Sequence, residues 1–364
     1  IEDSGTVNVP GRFTVEGFGE NAVFRGDHIR AEGVLRSVRG SKQGRLSFAD
    51  ITVIEHRDSI IERLRRSFIS GMHSALPEPQ ASFGIGLLVG DRTGLPKSVT
   101  DDLRVVGLTH IIAVSGYNLT IIISAVRKLL SKRSKYQATV VATVLLILFV
   151  LLTGFSASIV RAAIVSMLSI IAWYYGRSIR PTLVILFTAA VTALWNPLYV
   201  WTDAGWHLSF LTFFGVLVLA PALQKRLAPT TKSTVIGSVV IESLCAQLMT
   251  VPYVLFVFGR LSIVALPVNM IIVPLIPGAM FLSFVAGTGG MLLPVVVGWF
   301  AWPARILLVY ILDLVAIAAR VPHASVALTI TAAGLMVLYA SIGLIAIVLG
   351  KTARQRDTIT DINS

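Results

Sequence analysis

Apolar runs long enough to cross a membrane recur from residue 109 onward, and they restrict the fold of this chain more than any other feature. An α-helix needs about 20 predominantly apolar residues to span the hydrocarbon core of a bilayer. About nine runs near that length lie at 109–126, 137–153, 157–175, 181–196, 204–222, 235–257, 263–288, 291–318 and 325–349. The chain is therefore predicted to be a polytopic α-helical membrane protein.

The composition supports the same class. Hydrophobic residues make up 55% of the chain and charged residues 14%, whereas soluble domains carry about 25% charged residues. Three prolines, Pro267, Pro274 and Pro277, fall within the seventh run. A broken or re-entrant helix is predicted there, because freed backbone groups are tolerated in a membrane where they line a cavity.

The net charge of +12 is unevenly distributed. Residues 1–104 hold 14 basic and 14 acidic residues, so the whole excess belongs to the membrane part. There the basic residues concentrate on alternate loops, at Arg127, Lys128, Lys132, Arg133 and Lys135, at Arg177 and Arg180, at Lys225, Arg226 and Lys232, and at Lys351, Arg354 and Arg356. Basic loops stay in the cytoplasm, which predicts a cytoplasmic polar tail at 351–364 and an extracytoplasmic N-terminal domain. The basicity therefore needs no nucleic acid to explain it.

Residues 1–56 are predicted to form a small β domain. Apolar and polar residues alternate over 12–17, 28–38 and 44–54, with glycine-rich turns between them, which is typical of half-buried strands. The last turn is basic and lacks acidic residues, with Arg36, Arg39, Lys42 and Arg45. Together with Phe24 and Phe48 as stacking groups, this hairpin suits contact with single-stranded nucleic acid. The alternative is a solvated turn beside a core phenylalanine.

Two short helical segments are predicted over 57–106. At 59–76 the apolar residues are spaced by three and four, which predicts an amphipathic helix lying on the outer lipid headgroups. Its other side carries Arg63, Arg65 and Arg66, which would bind lipid phosphate or, alternatively, a DNA backbone. The stretch 82–96 is too short to span a membrane. It predicts a half-helix that ends at a polar turn with Gly90, Asp91 and Arg92.

Polar and ionisable side chains interrupt the apolar runs. Within or beside them lie His110, Ser115, Asn118, Arg161, Asp203, Glu242, Gln247 and Asp313. Ionisable groups inside a membrane usually face a cavity or one another, so these residues predict a polar pathway through the protein. The alternative is a role in helix packing, in which Arg161 pairs with Asp203 or Glu242.

Neither a metal nor a cofactor is predicted, and the chain is not expected to be an enzyme. Cys245 is the only cysteine, the six histidines lack the short spacings of zinc sites, and the sequence has no GxxxxGK[ST] phosphate loop. An intramembrane serine hydrolase is a further alternative, because Ser115 follows His110 near a predicted helix start. On one helix these side chains point about 140° apart, which disfavours a nucleophile and its base.

Four segments along the chain resemble segments of a known protein family. They are GLLVGDRTGLPKSVTDDLRVVGLTHIIAVSGYNL (86–119), LLTGFSASIVRAAIVSMLSIIAWYYGR (151–177), NPLYVWTDAGWHLSFLTFFGVLVL (196–219) and AQLMTVPYVLFVFGRLSIVALPVNMIIVPL (246–275). In this order they resemble the competence family of DNA-uptake channels, the ComEC family. The resemblance places a transmembrane channel domain at 107–350, and residues 1–56 resemble the OB-like module that precedes it.

The resemblance implies that the protein passes single-stranded DNA across the cytoplasmic membrane during natural transformation. It also implies an external DNA receptor and a cytoplasmic motor ATPase as partners, in addition to membrane lipid. Asn118 departs from the family pattern by ending a motif that usually reads Ser-Gly-Leu-His, and His207 stands where glutamine is more familiar. Many members carry a metallo-β-lactamase-like nuclease domain, and nothing in this sequence resembles its histidine-rich motif.

A transporter of small solutes or ions with an external sensing module is the other alternative. Broken helices with polar side chains near the bilayer midplane suit a transporter, although a basic β hairpin is an unusual accessory for a small solute. The chain begins at Ile1 without a signal-peptide pattern. This predicts upstream sequence, including any spans that would deliver the first domain across the membrane.

Overall fold

The computed structural model describes residues 13–19, 28–36, 44–55, 60–112, 119, 123, 126, 127, 129, 130, 133–154, 157–177, 180–227, 235–293 and 297–344. Within these residues, a small N-terminal sheet precedes a body built almost entirely of helices.

The N-terminal sheet has three strands in the order β1–β3–β2. Strand β1 is Phe13–Gly19, β2 is His28–Arg36 and β3 is Gly44–Glu55. The central strand β3 pairs in parallel with β1 and antiparallel with β2. All three strands lie within two residues of the bounds that the alternating pattern predicts. Arg39, Lys42 and Phe24 lie outside the described residues.

The helices follow in chain order. They are α1 Ile60–Ala75, α2 Gln80–Val89, α3 Lys97–Val106, α4 Thr109–Ile112, α5 Lys135–Thr153, α6 Ala157–Tyr174, α7 Pro181–Trp195, α8 Leu198–Thr202, α9 Ala204–Phe214, α10 Ala220–Leu227, α11 Val235–Phe258, α12 Ala265–Ile272, α13 Ile276–Leu292, α14 Val297–Ala319 and α15 Ala332–Leu344. Two short strands, β4 Arg260–Ser262 and β5 Ser325–Ala327, pair with each other beside α11.

Five helical stretches are long and apolar enough to cross a bilayer. They are Lys135–Thr153, Ala204–Gln224, Val240–Phe258, Ala265–Leu292 and Val297–Ala319. Three further apolar helices match predicted runs but are shorter, at Ser158–Tyr174, Pro181–Trp195 and Ala332–Leu344. The run predicted at 109–126 lies mostly outside the described residues. The chain is thus a helical membrane protein whose described part has five candidate spans, against about nine predicted.

The proline-containing run is more regular than the sequence predicts. It forms α12, one 3₁₀ turn at Val273–Leu275 and α13, without leaving a helical path between Ala265 and Leu292. Pro274 and Pro277 each occupy a first-turn position of the segment that follows. A first-turn proline lacks only an N–H group that would have no intrahelical partner. The prolines therefore tighten one turn and do not break the helix.

Helix α1 packs against α13, where the sequence predicts contact with lipid headgroups. Phe68 stacks on Phe284 with ring centroids 6.3 Å apart, and Met72 is fully buried. A Cβ atom added to Gly290 would collide with the carbonyl oxygen of Gly71. Small residues allow two helix backbones to approach closely. The second half of the apolar stripe, from Phe68 to Leu76, is therefore covered by protein, and the headgroup prediction is wrong there, whereas Ile60 and Leu64 are exposed.

A π-helical turn, Gly215–Leu219, joins α9 to α10. Such turns occur mostly as single-turn bulges within longer α-helices. A Cβ atom added to Gly215 would lie 2.6 Å from the carbonyl oxygen of Cys245 on α11. The bulge is therefore the place where this long helix packs most closely on α11.

Candidate polar pathway and nucleic-acid surface

Arg161 is the most deeply buried charged residue of the described membrane part. It lies on α6, is 2% exposed and donates from Nη2 to the backbone carbonyl of Gly205, 3.1 Å away. Its Nε and Nη1 atoms are buried without a hydrogen-bond partner among the described residues. A buried polar group without a partner is costly. The guanidinium thus has unused hydrogen-bond donors inside the helical body.

Asp203 lies beside Arg161, but the hydrogen bonds of the two residues go elsewhere. Asp203 sits between α8 and α9, and its Oδ1 accepts from the backbone N–H of Trp206 at 3.1 Å, which caps α9. The Asp203 carboxylate attracts the Arg161 guanidinium electrostatically. The hydrogen bond of Arg161 goes to the Gly205 carbonyl, so the carboxylate acts on it through space.

Aromatic and hydroxyl side chains extend this cluster across α7, α9 and α11. Trp206 donates from Nε1 to Thr192 Oγ1 at 3.0 Å, and Thr192 donates to the Thr188 carbonyl at 2.8 Å. His207 contacts the Asp203 carbonyl through Nδ1 at 3.0 Å and stacks on Tyr253 with centroids 5.1 Å apart. We call Arg161, Thr192, Asp203, Trp206, His207 and Tyr253 the polar layer. It joins four helices at one level of the body.

Glu242 and Gln247 lie on α11, away from the polar layer. Glu242 is half-buried and accepts a hydrogen bond from the Gln224 side chain on α10. It precedes Tyr253 by eleven residues, which places it roughly 16 Å along the helix at 1.5 Å per residue. Gln247 has a buried Nε2 without a hydrogen-bond partner in the described part of the chain. Because Glu242 bonds Gln224 and lies away from the polar layer, the alternative pairing of Arg161 with Glu242 is wrong.

None of the other predicted pathway residues that the structure describes belongs to the polar layer. His110 is exposed on α4, and its Nδ1 contacts the Gly107 carbonyl at 3.1 Å. Asp313 is exposed on α14. Ser115 and Asn118 lie outside the described residues. The described structure thus brings Arg161 and Asp203 together and leaves His110, Glu242 and Asp313 elsewhere.

The polar turn after α2 is closed by its own hydrogen bonds. Gly90 ends α2 in the left-handed conformation at φ 77°. Asp91 Oδ1 accepts from both the N–H of Thr93 at 3.1 Å and the Thr93 hydroxyl at 2.7 Å, while Arg65 Nη2 donates to Asp91 Oδ2 at 3.3 Å. Partial burial raises the pKa of Asp91, but the Thr93 hydrogen bonds and the Arg65 charge outweigh it and leave that pKa below its usual value. Arg92 is exposed.

The arginines of α1 therefore have different surroundings. Arg65 is committed to Asp91, and Arg66 lies 3.9 Å from Glu62 one turn earlier. Arg63 is exposed. The pair between Arg65 and Asp91 ties α1 to the polar turn. For Arg65, contact with lipid phosphate or DNA would require this pair to open.

Phe48 projects from the N-terminal sheet. The β1–β3 register shifts between Glu16 and Gly17 and the β2–β3 register shifts between Glu32 and Val34, so Phe48 has no partner on either side. It has φ 55° and is 75% exposed. A positive φ is unusual for a bulky residue and marks a turn or strain. The alternative that Phe48 is a core residue is therefore wrong.

The neighbouring strands leave no room for Phe48 to turn inward. Ala49, the next residue, is almost fully buried, and Cβ atoms added to Gly17 and Gly33 would collide with its backbone. Arg36 and Arg45 pair across β2 and β3, and both are exposed. Like charges directly opposite each other are destabilising. The sheet thus presents an exposed aromatic ring together with two exposed arginines.

Comparison with known families decides the class of this protein. A profile described as competence protein matches residues 87–352. The chain belongs to the competence-protein family. The matched range contains Asp91 and the whole polar layer, and it begins after the N-terminal sheet and α1.

One curated member of the competence-protein family matches the chain significantly. ComE operon protein 3 of Bacillus subtilis (strain 168) is 26% identical over 286 residues, which cover 76% of this chain and 35% of the relative. The chain thus spans about a third of the length of that relative. No solved structure matches significantly.

Thr192, Trp206 and Tyr253 are polar-layer residues that the sequence analysis did not single out. Threonine in a helix usually bonds its own backbone, as Thr192 does with Thr188, and so carries no separate sequence signal. Trp206 and Tyr253 combine an apolar body with one polar atom. Trp206 adjoins His207 in the sequence, which could have raised its rank as a candidate, whereas Tyr253 is distant along the chain and approaches His207 only in the fold.

Proposed function

We propose that this chain forms the membrane channel that passes single-stranded DNA into the cytoplasm during natural transformation. The observation that carries the proposal is Arg161, a buried guanidinium with two unpartnered N–H groups among the described residues of a helical membrane body. Membership of the competence-protein family supports the process. Ionisable groups inside a membrane protein mark substrate and ion pathways.

The chemistry of the polar layer suits a moving polyanion. The unused donors of Arg161 are buried in this conformation, so a phosphate oxygen reaches them only where the surrounding helices separate; Arg recognises phosphate with strong charge-assisted hydrogen bonds. Asp203 limits this attraction because its negative charge lies beside the guanidinium. His207 and Tyr253 offer aromatic faces, on which every base stacks without regard to sequence. A strand would therefore be guided without being trapped.

The N-terminal sheet is proposed to be part of an OB-like domain that receives the strand on the extracytoplasmic side. Its support is the exposed ring of Phe48 together with the facing cations Arg36 and Arg45. Small β-barrels bind single strands with such aromatic platforms beside basic grooves. An external DNA receptor would deliver the strand, and a cytoplasmic motor ATPase would pull it. The alternating basic loops support the orientation, with residues 351–364 in the cytoplasm.

Uptake of labelled DNA tests the channel. The gene is deleted and then restored with wild type, with Arg161→Gln or with Arg320→Gln as the control, because Arg320 is exposed at the end of α14. Membrane levels of each protein are matched by immunoblot. We expect the deletion strain to bind DNA outside without importing it, wild type and Arg320→Gln to restore entry, and Arg161→Gln to fail.

Two results would count against the proposal. If the deletion strain still imports DNA, the chain does not provide the entry route. If Arg161→Gln restores entry as well as Arg320→Gln does, the unused donors of Arg161 are not part of the pathway, and Arg161 has a packing role.

A further inference from the structure

An open cavity of about 680 Å³ lies on the surface between the end of α6 and the start of α7. Its walls include Leu168, Ile171 and Leu183, with Tyr175 beside them. Arg177 and Arg180 complete the lining. The volume falls within the range of about 300–1,000 Å³ for small-molecule sites. No polar-layer residue lines this cavity, so it is separate from the proposed DNA pathway.

The turn between the two helices fixes the positions of the arginines. Gly176 is left-handed at φ 66°, its N–H bonds the Trp173 carbonyl at 3.1 Å, and the N–H of Arg177 bonds the Ala172 carbonyl at 2.9 Å. These two bonds form a Schellman motif, which ends α6 sharply. Arg180 precedes Pro181, the first residue of α7. Arg177 therefore directly follows Gly176 at the end of α6 and Arg180 directly precedes α7, and both are exposed.

A third arginine nearby, Arg127, contacts helix α6 and does not line the cavity. Arg127 donates from Nη2 to the Ser169 carbonyl at 3.0 Å, and its guanidinium lies 4.9 Å from the centre of the Trp173 ring. Arg127 thus binds the helix end itself. Arg177 and Arg180 line the cavity, where their charge faces whatever enters it.

We propose that this cavity binds one anionic phospholipid, with its phosphate on Arg177 and Arg180 and an acyl chain along Leu168 and Ile171. The charge is complementary to phosphate, and Arg bonds phosphate oxygens in a planar fork. The apolar wall suits an acyl chain and gives a nucleic acid nothing to bond. Tyr175 is a residue type enriched at the membrane interface. The basic loop is predicted to face the cytoplasm, where anionic lipids attract such residues.

The test measures lipid retention by the whole chain. Purified protein is delipidated in detergent and offered phosphatidylglycerol or phosphatidylcholine with identical acyl chains, and bound lipid is counted by native mass spectrometry. We expect one phosphatidylglycerol to be retained in preference to phosphatidylcholine. Arg177→Gln with Arg180→Gln should weaken that retention about tenfold or more, since each basic residue adds to anionic-lipid attraction. The control pair Arg260→Gln with Arg320→Gln, also exposed, should leave it unchanged.

A second variant examines the apolar wall without altering charge. Ile171 is 44% exposed, so Ile171→Trp can fill the groove without disturbing a packed core. It should also weaken retention of phosphatidylglycerol. Equal retention of the two lipids, or equal loss in the two double variants, would overturn the proposal. Displacement by glycerol phosphate would reveal a phosphate site without an acyl groove, and displacement by a single-stranded oligonucleotide would assign the arginines to DNA. Either result would also overturn it.

Discussion

Arg65 and Arg161 are both held by the helical body, yet their hydrogen bonding differs. Arg65, with 13% of its side chain exposed, bonds the carboxylate of Asp91, which two further bonds from Thr93 hold in place. Arg161 is 2% exposed and has one bond, to a backbone carbonyl. The arginine that bonds a carboxylate directly is the one nearer to solvent. This is the reverse of what stability alone would favour, because unmet donors cost most where water is excluded.

This difference indicates that Arg65 has a structural role, whereas the N–H groups of Arg161 remain available to a ligand. The pair between Arg65 and Asp91 joins α1 to the polar turn, and the charge of Arg65 is balanced there by a carboxylate. Arg161 is kept close to Asp203 without a direct bond to it, so its remaining N–H groups stay available. Replacing Arg161 should therefore abolish DNA entry without lowering stability, whereas replacing Arg65 should chiefly lower stability.

Replacing Arg161 with methionine should produce the largest change. The Nε and Nη1 atoms of Arg161 are buried without a hydrogen-bond partner among the described residues, which is costly, and Asp203 is only half-buried and keeps its bond from the Trp206 N–H. Arg161→Met should therefore unfold in detergent at the wild-type temperature or above it, while DNA entry is lost. Arg65→Met should unfold at a lower temperature because Asp91 loses its partner. Loss of stability together with entry in Arg161→Met would contradict this distinction.

Gly290 lets α1, the helix that carries Arg65, pack closely against α13, so a substitution at this glycine should disrupt that packing. Gly290→Ala places a methyl group against the Gly71 backbone and should separate α1 from α13, at a cost of about 1–3 kcal/mol for overpacking. Gly289→Ala is the matched control, because a Cβ atom there lies 3.6 Å from Val297 and meets no backbone. It should be neutral or stabilising, since alanine favours helix. Denaturant unfolding in detergent compares the two, and equal stabilities would show that α1 is not docked there.

A double-mutant cycle of Arg65→Gln and Asp91→Asn should give the smallest effect. Partly exposed ion pairs contribute about 0.2–1 kcal/mol, and the cycle isolates that coupling. Because the pKa of folded Asp91 is lowered, the stability it confers is present at neutral pH and is lost as pH falls through and below the usual value of about 3.9. Unfolding measured between pH 7 and pH 3 checks this. A coupling that grows on acidification would contradict the assigned pair.

Local patterns predicted those parts of the molecule that depend on near neighbours. Alternation located β1, β2 and β3 to within two residues, and the glycine-rich stretch correctly ended α2 at Gly90. The presence of Arg161 and Asp203 among apolar residues marked the polar layer, because an ionisable side chain in such a run needs a partner. These signals are carried by the sequence within one turn or one strand.

Features that depend on distant segments could not be predicted in the same way. The apolar stripe of α1 identifies a buried face, but nothing in it names α13, more than 200 residues later, as the cover. Phe48 looks like any strand phenylalanine until Gly17 and Gly33 are known to lie beside Ala49. The prolines predict a break because the first-turn positions of Pro274 and Pro277 become clear only once the turn at Val273–Leu275 is known.

The π-helical turn at Gly215–Leu219 makes the number of residues in its helix, and not only their hydropathy, decide which way the side chains of α10 point. Five residues there occupy the place of a regular turn, so every side chain of α10 is rotated by about 100° from the position that uninterrupted α-helix would give it. With this rotation, the side chain of Gln224 bonds Glu242 on α11. A one-residue deletion between 215 and 219 would preserve the hydropathy of the span and a fully helical backbone, yet it would turn Gln224 away from α11.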